Sequence, residues 1–195
     1  MKHFWTKIKR HLKLWIPILF FVSLIVVGAV IWIKKIYPFA MVNGAVVLER
    51  EYAGTERILL AYYDKVAQSE KENIIPLDSQ KLRRTIVGEV VDRALIREYL
   101  HANVEETLLI ELESDALAET KSAEFRKAAE TFYGSAFGEI GLYVLLPQAE
   151  RDILRSRLIL EDRDFDVWLL EARKGATVRI FSREFRFRDG KAVER

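Results

Sequence analysis

The 195-residue chain contains no cysteine, three histidines and four prolines. Without cysteine, neither a disulfide framework nor a thiolate metal site is possible. Two of the histidines, His3 and His11, precede a long apolar run, which leaves His101 alone in the remainder. A solitary imidazole at a helix end reads as a capping or surface residue, not as an acid–base catalyst. There is no Gly-x-Ser-x-Gly, no phosphate-binding loop and no nucleotide-binding glycine fingerprint. Gly134-Ser135-Ala136-Phe137-Gly138 places a serine between glycines, but with no partner histidine nearby it reads as a helix junction. The acidic run Glu161-Asp162-Arg163-Asp164-Phe165-Asp166 lacks the spaced oxygens and glycine turn of a calcium loop. Its place before a helix suits N-capping instead. The residues therefore offer no catalytic group, no cofactor site and no metal-ligand set.

Charge is unevenly spread. Lysine and arginine total 31 against 29 acidic residues, but residues 1–35 hold seven of the basic groups and no acid. The rest of the chain carries 24 basic against 29 acidic groups, a net of −5. That balance argues against a nucleic-acid-binding domain.

Leu14 to Ile33 is a run of twenty residues without a charge, bracketed by Trp15 and Trp32. As a helix it would rise roughly 30 Å, the thickness of a bilayer's hydrocarbon core. Five basic residues precede it and two follow, so the flanking charge places the N-terminus in the cytoplasm and the remainder outside. A cleaved signal peptide would have a shorter apolar stretch and small residues at the cleavage site, whereas Lys34-Lys35-Ile36-Tyr37-Pro38 follows here. The expected organisation is a cytoplasmic segment 1–13, a single-pass transmembrane helix 14–33 and an extracytoplasmic helical domain 34–195, at the cell membrane.

In that domain Ala40 to Leu48 holds β-branched residues on both sides of Asn43-Gly44, a pair suited to a tight turn. It predicts a strand or small hairpin. Helices are predicted over Glu49–Gln68 and Ser79–Ala102, with Pro76 in the break between them. In the second, Leu82, Ile86, Val90, Ala94 and Ile96 to Leu100 form the apolar stripe, and Arg83, Arg84, Glu89, Arg93 and Arg97 are expected to face away. Further helices follow over Val104–Leu117, from Ser122 to Gly134, from Ser135 with a kink or end at Pro147, over Arg151–Leu160, and over Phe165–Lys174. Val178 and Ile180 share one strand parity while Phe181, Phe185 and Phe187 share the other, which predicts a bulge or turn near Ser182. The final strand must pair, and its partner candidate is Ala40–Leu48. A mainly α body closed by a small sheet joining its N- and C-terminal strands results.

Phe125, Phe132, Tyr133, Phe137, Tyr143 and Leu146 form an apolar surplus on short helices. They serve either as core or as the lining of a groove for apolar polypeptide segments.

The order of elements resembles the N-terminal chaperone domain of the SurA/PrsA-type foldases. The resemblance rests on Val42-Asn43-Gly44-Ala45-Val46-Val47, on Leu82-Arg-Arg-Thr-Ile-Val-Gly-Glu-Val-Val-Asp-Arg-Ala-Leu-Ile96, on Phe132-Tyr133-Gly134 and on Phe165 to Ile180. Many such foldases insert a parvulin-type prolyl isomerase domain before the closing helix. Here Ser135 to Leu170 is continuous helix-forming sequence with no space for it. What the resemblance implies is a membrane-anchored chaperone that binds unfolded exported polypeptides without isomerase activity. The alternative is a membrane-tethered scaffold that binds one folded partner.

Overall fold

The structure is a computed structural model, and it describes residues 21–69 and 78–195. Two compact units divide at Tyr37/Pro38. The first holds helix α1 (residues 21–33), after which Trp32 and Tyr37 stack at 5.7 Å between centroids. Helices of 21 and 25 residues occur further on, but both are studded with charge. Among the described residues no helix is long and apolar enough to cross a membrane. The transmembrane helix expected over Leu14–Ile33 is corrected accordingly; positions 14–20 of that expectation, and the segment 1–13, lie outside the described residues.

The second unit begins with strands β1 (Pro38–Val42) and β2 (Ala45–Leu48). Asn43 and Gly44 join them with φ of 50° and 90°, left-handed values that asparagine and glycine tolerate. The Asn43 side chain is held from two directions. Its Oδ1 accepts from the Thr177 amide at 2.9 Å and its Nδ2 donates to Glu98 at 2.8 Å. The chain then enters α2 (Glu49–Ser69), α3 (Ser79–Asn103), α4 (Glu106–Glu119) and α5 (Ala123–Tyr133). Side chains cap several of the starts. Asp78 accepts from the Gln80 and Lys81 amides, Ser122 from Phe125, and Asp164 from Val167. After Gly134 (φ 56°) come a 3₁₀ turn (Gly134–Glu139), a π turn (Gly141–Leu145), α6 (Leu146–Leu160) and α7 (Phe165–Gly175). Pro147, which the sequence marks as a kink or end, stands where the π turn gives way to the first turn of α6.

Strand β3 (Val178–Ile180) pairs antiparallel with β1, giving the sheet order β2-β1-β3. The predicted irregularity near Ser182 is larger than a bulge. The chain leaves this sheet and forms a separate hairpin, β4 (Phe185–Arg188) with β5 (Lys191–Glu194), turning at Asp189 and Gly190 with φ of 51° and 75°. The parity switch in the sequence marks that change of sheet.

Helix α3 is the axis of this unit and is buried on several sides. Its Leu82, Ile86, Val87, Val90, Val91 and Leu95 pack with Phe39, Val42, Val47, Ile180 and Phe185 from the strands. Further along, Ile96 and Leu100 pack with Leu154, Leu158, Phe165 and Trp168 of α6 and α7. A third cluster joins Ile58 of α2 to Ala129 and Ile140. The surrounding elements leave α3 less polar face than the sequence pattern implied. Arg83, Arg84 and Glu89 are exposed as expected, but Arg93 is nine-tenths buried and Arg97 two-thirds.

Candidate functional site

Helices α2 and α3 diverge from the π turn and the start of α6 to leave a cavity of about 330 Å³. This lies at the lower end of the range for small-ligand pockets. The apolar lining includes Ile58, Leu59, Tyr63, Val90, Tyr143 and Pro147; Thr55, Thr85 and Gln148 add neutral polar groups. Glu89 and Arg151 pair at 2.8 Å on its edge. The spacing of the helices accounts for which residues meet here: Ile58 and Leu59 face Val90 because both helices present helical-period apolar stripes.

Tyr143 occupies its position because residue 54 is glycine. A Cβ placed on Gly54 would come within 2.2 Å of the Tyr143 ring. The glycine that looks like a flaw in α2 is therefore the seat of an aromatic ring. We expect Gly54→Ala to lower stability by up to about 2 kcal/mol, since overpacking costs about 1–3 kcal/mol against a helix-propensity gain of about 1 kcal/mol. In a Tyr143→Ala background the same change should be neutral or favourable; thermal unfolding of the four proteins of this double-mutant cycle measures the difference.

Arg93 underlies the ring at 5.9 Å from its centroid and donates to the Leu142 carbonyl at 2.6 Å, fixing the π turn. Burial, with Arg97 nearby, lowers its guanidinium to about 10. The compensating carboxylate is Glu150, which accepts from Arg97 Nε at 2.6 Å and lies 3.9 Å from Arg93 Nε. Arg97 also faces Glu51 at 3.6 Å. The Tyr143 phenol is raised, first by burial and then by Glu139.

Of the six residues singled out in the sequence, Phe125, Tyr133 and Tyr143 gather on the Ile58 cluster, and Phe132 and Leu146 do not join them. Tyr143 also lines this cavity, and Tyr133 lies 5.7 Å from the Tyr62 ring. Phe132 is 52 % exposed, and Leu146 is buried between α3, α4 and α6 beside a second concavity of about 390 Å³. The side chain of Phe137 lies outside those described. His101 is exposed in the last turn of α3. Sequence reading missed Ile58, Gly54, Arg93 and Glu150. Glycine inside a helix was a usable signal for the first pair, because it marks close approach of another element.

No described side chains pair a nucleophile with a base at this cavity. Among the described residues no group of three or more histidine, aspartate or glutamate side chains could hold a metal. The cavity offers apolar contact with polar edges, which is binding chemistry. No family model matches the chain, and no curated protein or solved structure matches it either.

Proposed function

We propose that this protein is a chaperone-like binder of unfolded polypeptide, taking apolar segments into the cavity between α2, α3 and the start of α6, without prolyl isomerase activity. The observation that carries this reading is the cavity itself, whose apolar lining is edged by hydroxyl and amide groups, by Arg93 and by the Glu89–Arg151 pair. Each fully buried aliphatic side chain of a client would contribute roughly 1.5–3 kcal/mol. Thr55, Thr85 and Gln148 supply hydrogen-bonding groups for a client backbone, so that its polar atoms need not be left unpaired. The resemblance to the SurA/PrsA-type foldases supports exported chains as the clients.

The full chain should suppress aggregation of a chemically unfolded client at a few-fold molar excess, measured by light scattering. Leu59→Asp, which puts a charge into the apolar lining, should abolish most of that effect. Absence of suppression by the unaltered protein, or recovery of one stoichiometric folded partner in place of many clients, would overturn the reading.

A further inference from the structure

The charge of the second unit is strongly polarised along the sequence. Residues 36–172 carry 16 basic and 26 acidic groups, whereas residues 173–195 carry eight basic and three acidic. The hairpin concentrates that local excess. Alternation places Phe185 and Phe187 toward the core and Arg186 and Arg188 on the opposite face. The register sets Val193 against Arg186 and Lys191 against Arg188. Two like charges directly opposite across a strand pair are unfavourable, and only Asp189, itself highly exposed, approaches Arg188, at 3.5 Å. Arg183, Arg186 and Lys191 have no ion pair among the described residues.

Two further features lie around the same hydrophobic cluster. Across the three-stranded sheet, Val46, Met41 and Arg179 form one outward row, whose reverse side is the buried Val47, Ala40 and Ile180. Val46 is 55 % exposed and Phe181 43 %, with the Arg179 guanidinium 5.2 Å from the Phe181 centroid. Between the hairpin and α3 lies a recess of about 200 Å³ with Lys191, Arg84 and Thr85 in its lining and Glu89 as its one carboxylate. Both sheets back onto the same hydrophobic cluster, which holds Ile180 and Phe185.

We propose that this strand-built face binds the surface of an anionic phospholipid bilayer. Arg186, Arg188, Lys191 and Arg84 would meet headgroup phosphates, and Val46, Met41 and Phe181 would enter the interfacial layer. Cations beside exposed aliphatic side chains favour a lipid surface over a nucleic acid, to which valine and methionine offer neither stacking nor charge. The inference does not depend on the client-binding reading, although Thr85 and Glu89 of α3 line both the recess and the client cavity.

Co-sedimentation of the full chain with vesicles tests it, using phosphatidylcholine alone and phosphatidylcholine mixed with phosphatidylglycerol. R186E/R188E/K191E should lower binding to the phosphatidylglycerol vesicles on the order of tenfold or more, since each cation near such a surface contributes about 1 kcal/mol. Binding to phosphatidylcholine alone should be unchanged, because the substitutions alter only charge. The milder R186Q/R188Q/K191Q should fall between the two, and all three side chains are exposed, so folding should survive. Equal binding of wild type and charge-reversed protein to phosphatidylglycerol vesicles would overturn the proposal. So would tighter capture of the wild type by an oligonucleotide at the same salt.

Discussion

Replacing Arg173 with methionine is expected to cost about 3–5 kcal/mol of stability at neutral pH, as removal of one partner from a buried ion pair does. Asp92 is 1 % exposed on the central helix, and Arg173 reaches it from the last turn of α7 with a two-pronged contact, one prong at 2.5 Å. Burial pushes the Asp92 carboxyl above the ordinary carboxylate range, and the Arg173 hydrogen bonds and charge pull it back. The same contact raises Arg173. In the methionine variant the upward push of burial and of Glu89 is opposed only by the more weakly acting Arg151. A carboxyl whose folded pKa lies above its unfolded value binds more protons in the folded state, so stability falls as pH rises through that interval. The deficit of Arg173→Met should therefore shrink on acidification. Asp92→Leu/Arg173→Met, which removes both charges, should recover most of the loss. Urea unfolding at neutral and mildly acidic pH measures all three proteins. A loss under about 1 kcal/mol for the single variant would show that Asp92 is hydrated.

Much of the helical body was legible because its signals are local. Ser122 and Asp164 are cap residues in the right place, Gly134 stops α5 in a left-handed conformation, and Asn43-Gly44 can hardly be anything but a turn. Each is decided by a few neighbouring residues. The pairing of β1 with β3 is different in kind, since 134 residues separate Asn43 from Thr177 across the joint. It was reached only by asking what a terminal strand could pair with. The second hairpin escaped that reasoning: a strand that changes parity and one that changes sheet look alike until the Asp189-Gly190 turn is given its own weight.

The site was less legible than the fold because it is built from tertiary distances. Phe125, Tyr133 and Tyr143 meet on Ile58 of α2, a residue far from them in sequence, while Phe132 on α5 stays exposed. Arg93 and Arg97 were read as outward-facing because they are charged. Their spacing said otherwise, since Ile86, Val90, Arg93, Arg97 and Leu100 step by four, three, four and three along one face. Two arginines in an apolar stripe predict a buried carboxylate opposite, and Glu150 on α6 is that carboxylate.

Glu150→Ala is accordingly expected to be among the most damaging single changes in the chain, at about 3–5 kcal/mol. Its side chain is nine-tenths buried, and so is that of Arg93, so the Arg93 charge left behind would be poorly hydrated, whereas Arg97 is a third exposed. Without it, two like charges one helical turn apart would face α6, with Glu51 at 3.6 Å from Arg97 as the remaining counter-charge. The consequence extends to the cavity, because the Arg93 guanidinium holds the Leu142 carbonyl and so sets Tyr143 over Gly54. Loss of stability and loss of client binding should therefore appear together in Glu150→Ala. Glu150→Gln, which keeps an acceptor for Arg97 but not the charge, should lie between the two. Glu89→Ala breaks an ion pair of similar length, yet its side chain is about half exposed, so it should change stability by no more than about 1 kcal/mol. Urea midpoints of the three variants, read beside their suppression of client aggregation, separate the cases. If Glu150→Ala behaved like Glu89→Ala, the buried cluster would have no part in joining α3 to α6.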